Sequence, residues 1–425
     1  MLGACLLFGC GEGERRAPLL PDNPVRPVPG CEGYSYTACD ILDADCEKNL
    51  FGLMACLRGE DTAGLSPPPV QLLSEADAAA LLQSLPDAPA QDRDPDFLPS
   101  VRGLELLGLL APGLITSQAD IVDVSLQQVL ALYLPETRSI VVIDRGTPLA
   151  SLDADEVLGH EFVHALQDTR HHLLDFGVDP TLDSDQALAL TSVVEGDAVL
   201  YQLLLSIAQH GSSLEGVDYQ GVFDNLTSVA DQASLMAGSP MITASDIFPY
   251  TYGARYAGER WLAEGRQRPD SLFDKPPGST LEVMWGDSMG DVPSIAELQP
   301  PSAPLDGYRF VTDDAAGAWV SFCRALEEAN DLRVAPTLLQ HSERWRGDHL
   351  WIYQSQDDAA QIAVVWLIDW ADADSSRAFA DELADFQPAG GVIQIDVAGN
   401  LTRIVALERN SDLGGWVSRA AEASP

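Results

Sequence analysis

Residues 160–164 read His-Glu-Phe-Val-His. Two His four apart on a helix lie one turn apart on one face, so both imidazoles can reach a single metal ion. Glu161 between them points about a quarter turn away, beside the open position of such a metal rather than onto it. A catalytic zinc takes three protein ligands and leaves its fourth site to water. The metal lowers that water's pKa to about 7, and a nearby carboxylate then takes the proton. The chemistry this spacing suits is metal-assisted hydrolysis, with His160 and His164 as ligands and Glu161 as base. The competing reading is a helix with two surface His and a solvated Glu.

The third ligand must come from elsewhere. A Gly three residues past the second His and a further His beyond it would mark a metzincin, but those positions hold Gln167 and Arg170. His171 falls one residue late, where the helix should end. Glu195 lies in Val193-Val194-Glu195-Gly196-Asp197-Ala198, within a segment apolar nearly all round and therefore expected to be buried. A buried carboxylate is costly to ionise without a cation, and zinc supplies one. Gly196 would let this helix come close to the His-bearing one. A buried Arg is the alternative partner for Glu195, and Asp197 is the alternative ligand. Asp168, four residues past His164, suits an outer partner for an imidazole N–H.

These residues need particular elements to place them. Leu130–Leu134 and Ile140–Ile143, separated by Pro135-Glu136-Thr137, read as a β-hairpin. A helix should follow from Asp153 to Asp168, with Asp153 and Glu156 in a capping-box pattern. A long helix should span Asp185–Gln209, and a third Tyr252–Glu264, stopped by Gly265. Prolines at 276, 277, 293, 300, 301 and 304 mark a boundary. Beyond it come helices at 315–329 and 375–386 and strands at 350–353, 362–370, 392–396 and 402–407. That set is α+β with no catalytic cluster of its own.

The 425 residues exceed one ordinary domain, and 46% hydrophobic content can build a sizeable core. A formal net charge of −41 argues against nucleic-acid binding and against docking on anionic lipid. Lysine occurs only at Lys48 and Lys275. The apolar start, MLGACLLFGC, resembles the end of a bacterial lipoprotein signal with Cys10, or else Cys5, as lipid acceptor. No later stretch is expected to span a bilayer, so any membrane attachment would be by an N-terminal lipid anchor, in the bacterial cell envelope. Cys31, Cys39, Cys46 and Cys56 cluster as in an exported chain with two disulfides of open connectivity. Cys323 reads as a buried free thiol. The organisation expected is signal and tether 1–30, disulfide element 31–60, linker 61–97, hydrolase-like domain 98–299 and α+β accessory domain 300–425.

His160-Glu161-Phe162-Val163-His164-Ala165-Leu166-Gln167-Asp168, followed by Val194-Glu195-Gly196-Asp197-Ala198, resembles a group of secreted bacterial and archaeal gluzincin-like metallopeptidases. Weaker likenesses lie in residues 132–137, 249–253 and 276–280, so that roughly 100–295 is covered. The resemblance implies a mainly helical, zincin-like domain with a small sheet, a zinc ion on His160, His164 and Glu195, and a protein or peptide substrate. The sequence departs from that pattern twice. Trp285 stands where a His is expected after Ser279-Thr280, and Val199 stands where a thermolysin-type Asp would follow the third ligand. Such a hydrolase also needs a donor for the developing oxyanion. Tyr250, Tyr252, His210 and Arg255 are candidates, with Tyr252 preferred for its place beside Gly253. The alternative to a peptidase is a zinc-containing but inactive envelope protein that binds peptides or protein partners.

Overall fold

The computed structural model describes residues 25–61, 64–85, 94–121, 126, 129–146, 149, 151–176, 181–234, 239–286, 298, 301, 305–408 and 413–422. The expected leader, with Cys5 and Cys10, lies outside the described residues. The fold is mixed helix and sheet, 51% helical and 18% strand, in keeping with an α+β class.

A three-stranded sheet packs against the N-terminal helices. Its order is β3 (Val70–Ser74), β5 (Ser139–Asp144), β4 (Ala131–Leu134), with β3 parallel and β4 antiparallel to β5. The hairpin β4–β5 matches the sequence reading. The strand β3 was expected to be linker. The prolines before it suggest a tether, but Val70-Gln71-Leu72-Leu73 finds its pairing partner some seventy residues later, beyond the reach of local pattern. Alternation along β4 and β5 splits their side chains between two cores. Ala131, Tyr133, Ile140 and Val142 face α1 (Ala44–Leu57) and α4 (Leu152–His171), while Leu132, Leu134, Val141 and Ile143 face α2 (Glu75–Ser84).

The short strands β1 (Arg26–Pro27) and β2 (Ser35–Tyr36) pair antiparallel ahead of α1, which two disulfides hold, Cys31–Cys56 and Cys39–Cys46. Phe51 of α1 meets Phe162 of α4 edge to face at 5.3 Å. The disulfide element is thus one wall of the core around α4. Disulfides fit an oxidising environment.

The N-cap of helix α4 lies two residues before the expected one. Ser151, not Asp153, is the N-cap, its side chain accepting the Ala154 N–H, which leaves Asp153 and Asp155 as favourable charges in the first turn. Helix α5 (Ser184–Gln209) opens with a true capping box between Asp183 and Gln186. By length and composition α5 could cross a bilayer, contrary to the expectation that no segment would qualify. Yet 72% of its apolar window is buried inside the protein, so it serves as the central core helix.

Helix α7 (Pro240–Ala263) packs along α5, and α6 (Tyr219–Ser234) packs on α7. α7 begins twelve residues earlier than expected and runs through Pro249, because close packing on α5 outweighs one lost backbone bond. A Cβ at Gly196 would sit 2.2 Å from the Gly253 backbone. Gly196 therefore admits α7, not the His-bearing α4 as the sequence suggested. Two short helices follow, α8 (Ser271–Asp274) and α9 (Thr280–Trp285).

The C-terminal part is a five-stranded antiparallel sheet, β6 (Tyr308–Asp314), β7 (Trp345–Ser355), β8 (Ile362–Trp370), β10 (Leu401–Glu408) and β9 (Gly391–Ala398), in that spatial order. β8 is buried on both faces, which is why it reads as an apolar run from Ile362 to Ile368. One face carries Trp351, Val365 and Leu367 against Trp416 of α13 (Leu413–Glu422). The other carries Ile352, Trp366 and Ile368 into a core shared with α10 (Gly317–Ala329) and α12 (Ala373–Glu382). α11 (Ala335–Ser342) joins this side.

The expected division at residue 299 separates elements along the chain but not in packing. Helix α3 (Phe97–Leu107) lies on the C-terminal sheet, where Gly103 makes room for Ile352, and Arg102 pairs with Glu408. Trp319 of α10 packs on Phe248 and Tyr252 of α7 at 5.0 and 4.8 Å.

Candidate metal centre

α4 and α5 lie side by side and bring His160, His164 and Glu195 together, and these could hold a metal ion. His160 Nε2 and His164 Nε2 are 3.0 Å apart, and Glu195 Oε2 lies 3.2 and 3.3 Å from them. Ligands about 2.0–2.1 Å from one tetrahedral ion are separated by about 3.4 Å, so the three atoms are spaced as three corners of such a site. All are buried: His160 0%, Glu195 1% and His164 2% exposed.

The imidazoles are held so that both Nε2 lone pairs converge. His160 Nδ1–H donates to Gln202 Oε1 at 3.0 Å, and His164 Nδ1–H to Gln167 Oε1 at 2.9 Å. Gln167 in turn gives its amide hydrogens to Val194 O at 2.9 Å and Asp197 Oδ2 at 2.8 Å. Asp197 is ion-paired with Arg58 and is not a ligand. Outer partners of this kind set ring orientation and tautomer.

The three groups balance charge among themselves. Burial opposes charge on Glu195, but the neighbouring His164 and His160 outweigh it and hold the carboxyl down at about 2. Burial also opposes charge on His164, and Glu195 overrides it, raising the imidazole to about 9. Burial pushes His160 down. Without metal, the triad keeps its carboxylate by holding a proton beside it, where a divalent ion would sit instead.

Glu161 is fully buried next to the triad. Its Oε2 accepts the Tyr133 N–H at 2.6 Å, a bond from the edge strand β4, while Oε1 has no partner among the described residues. Burial pushes this carboxyl up to about 8.

Other expected residues lie elsewhere. Tyr252, the preferred oxyanion donor, gives its hydroxyl to Asp231 at 3.1 Å and packs between Phe248 and Trp319. Two residues along a helix is about half a turn, so Tyr252 faces the core and Tyr250 faces the triad, stacked with His160 at 6.2 Å. Arg255 binds Glu259 and the Met284 carbonyl, and His210 caps α5 at the surface. Asp168 does not touch an imidazole: it accepts the Tyr133 hydroxyl at 2.9 Å and the Leu173 N–H at 2.9 Å. His171 stacks on Phe273 at 4.0 Å, away from the ligand set. Trp285 ends α9 at the margin of the main core.

Gln167, Gln202 and Arg58 were missed. Gln167 had a legible signal, since three residues past His164 is the same helix face; Gln202 and Arg58 depend on tertiary packing. A second grouping, Cys39, Cys46 and Asp155, brings ligand-type atoms together, but both sulfurs are committed to a disulfide. Comparison with known proteins finds no matching family model, no matching curated protein and no matching solved structure.

Proposed function

We propose that this chain is an exported zinc-dependent peptidase of the gluzincin-like, zincin-type kind, with His160, His164 and Glu195 as ligands and Glu161 as base. The observation that carries the reading is the convergence of two pinned imidazole lone pairs and one carboxylate oxygen, with an unpartnered Glu161 Oε1 beside them. Two nitrogens and one oxygen suit zinc and leave a fourth position open. Bound zinc would polarise a substrate carbonyl and lower the pKa of a water. The added cation would also favour the ionised form of Glu161, whose carboxyl burial otherwise raises to about 8. That carboxylate would take the water's proton and pass it to the leaving amine, with the Tyr133 N–H holding Oε2. Tyr250, whose ring stacks with His160, rather than Tyr252, would border the reacting group. The two disulfides fit the exported setting. An N-terminal lipid anchor rests on the sequence pattern alone.

The deep burial of all four residues favours a second reading, a zinc-holding protein without hydrolase activity. Two measurements separate the readings. Metal analysis should find about one zinc per chain, as three ligands plus water require. Glu161→Gln should keep zinc and fold yet lose cleavage of an unfolded protein by about 10²–10⁴-fold. An active Glu161→Gln removes the assigned base. A zinc-loaded wild type without cleavage leaves the second reading, and a zinc-free wild type removes both.

A further inference from the structure

We propose that Arg58, far from the ligands in sequence, is a positioning residue of the metal centre and acts through Asp197 and Gln167 on His164. The inference rests on the metal reading above and extends it to the disulfide-stapled N-terminal element.

Arg58 is the C-cap of α1 and is 1% exposed. Its Nη1 donates to Asp197 Oδ2, and its guanidinium lies over the Tyr201 ring at 4.7 Å. Asp197 Oδ2 also accepts from Gln167 Nε2, and Gln167 Oε1 accepts from His164 Nδ1. Each member of this chain is buried, so no member can exchange its partner for water.

The order of the links fixes the chemistry. The two hydrogens of the Gln167 amide are taken by Val194 O and Asp197 Oδ2. Its oxygen must therefore face His164, which makes Nδ1 the protonated nitrogen and leaves the Nε2 lone pair for the metal. An inverted amide would present N–H to Nδ1 and select the wrong tautomer. Asp197 enforces the amide's direction, and Arg58 supplies the charge that a buried Asp197 needs. α1 is held in turn by Cys31–Cys56, two residues before Arg58, and by Cys39–Cys46 in its first turn. The N-terminal element thus reaches the metal centre by one side chain.

The test uses the full chain, with Zn²⁺ affinity from chelator competition and the visible absorption of bound Co²⁺ as readouts. Arg58→Met, which keeps apolar contact with Tyr201, should weaken Zn²⁺ binding about ten- to hundredfold and alter the Co²⁺ bands while far-UV circular dichroism stays unchanged. Adding Asp197→Asn should restore most of the affinity, because the new amide needs no cation and still offers Gln167 an oxygen. Equal affinity in Arg58→Met and wild type overturns the proposal, and so does a double variant as weak as the single one. Should Arg58→Met fail to fold, Gln167→Leu takes its place, and unchanged affinity there overturns it equally. A wild type that binds no zinc sinks the metal reading itself, a distinct result.

Discussion

The α4–α5 pair and the C-terminal sheet both bury polar side chains, but they use them differently. In the sheet, Asp348 occupies both oxygens with three donors: Gly317 N–H at 2.8 Å, Ala316 N–H at 2.9 Å and Trp366 Nε1–H at 2.7 Å. Thr402 is likewise closed by Ser376 and Trp370. Unpaired atoms exist there too, the indole N–H groups of Trp319, Trp345 and Trp416, but they sit on three different elements. Between α4 and α5 the ligand-type atoms converge: two Nε2 atoms and one carboxylate oxygen meet at one place, with the Glu161 carboxyl close enough to feel the charges of His164 and Glu195. Convergence, rather than the presence of unsatisfied atoms, separates a binding site from an imperfect core.

A crossed pair of substitutions gives the sharpest break in that comparison. Asp348→Ala strands three buried donors and should cost about 3–5 kcal/mol of stability, leaving zinc content per folded chain unchanged. Glu195→Ala should do the reverse. It should weaken zinc binding by more than about a hundredfold, beyond what loss of an outer partner causes. It should lower the melting temperature of the metal-free protein less than Asp348→Ala does, because His164 can shed its proton once the carboxylate is gone. Melting curves and metal titrations on both variants check this; equal responses in the two would erase the distinction.

The same contrast explains what the sequence could and could not tell. The pair His160 and His164 was legible because a helix fixes i and i+4 locally. Glu195 was legible in part: a buried acid in an apolar helix demands a cation, but Asp197 two residues on makes the same demand, and only the packing gives that one to Arg58. Tyr252 was misplaced because which face of α7 meets α5 is set by the Gly196–Gly253 contact, a tertiary fact. β3 and Arg58 escaped notice for the same reason, as their partners lie across the fold. In the C-terminal sheet β8, β9 and β10 were legible almost to their ends, whereas only the middle of β7 was read and the edge strand β6, which is polar along much of its length, was missed.

Next in size is the staple on the site's side. Opening Cys31–Cys56 by Cys31→Ala with Cys56→Ala frees a loop of sequence separation 25. The loss should be about 3 kcal/mol, read as a lower denaturant midpoint. Because Arg58 follows this staple, zinc affinity should fall as well. Cys323→Ala, at a buried thiol of α10 outside both disulfides, should by contrast leave zinc affinity untouched.

The smallest effect tests the seam between the two regions. Asp185, in the first turn of α5, is buried and accepts Thr280 N–H and hydroxyl from α9. Burial raises its carboxyl from 3.8 to about 8. The folded chain then keeps a proton that the unfolded chain has already released, so stability is intact in acid and erodes as pH climbs toward 8. The slope is at most about 1.4 kcal/mol per pH unit. Asp185→Asn keeps an oxygen for Thr280 and removes the titration. Its melting temperature relative to wild type should therefore rise steadily between about pH 5 and pH 8, the window in which only the unfolded wild type ionises. Parallel curves would mean that Asp185 is charged in the folded chain, held so by Thr280 and the α5 N-terminus, and that the seam is bound by charge rather than by a neutral hydrogen-bonded acid.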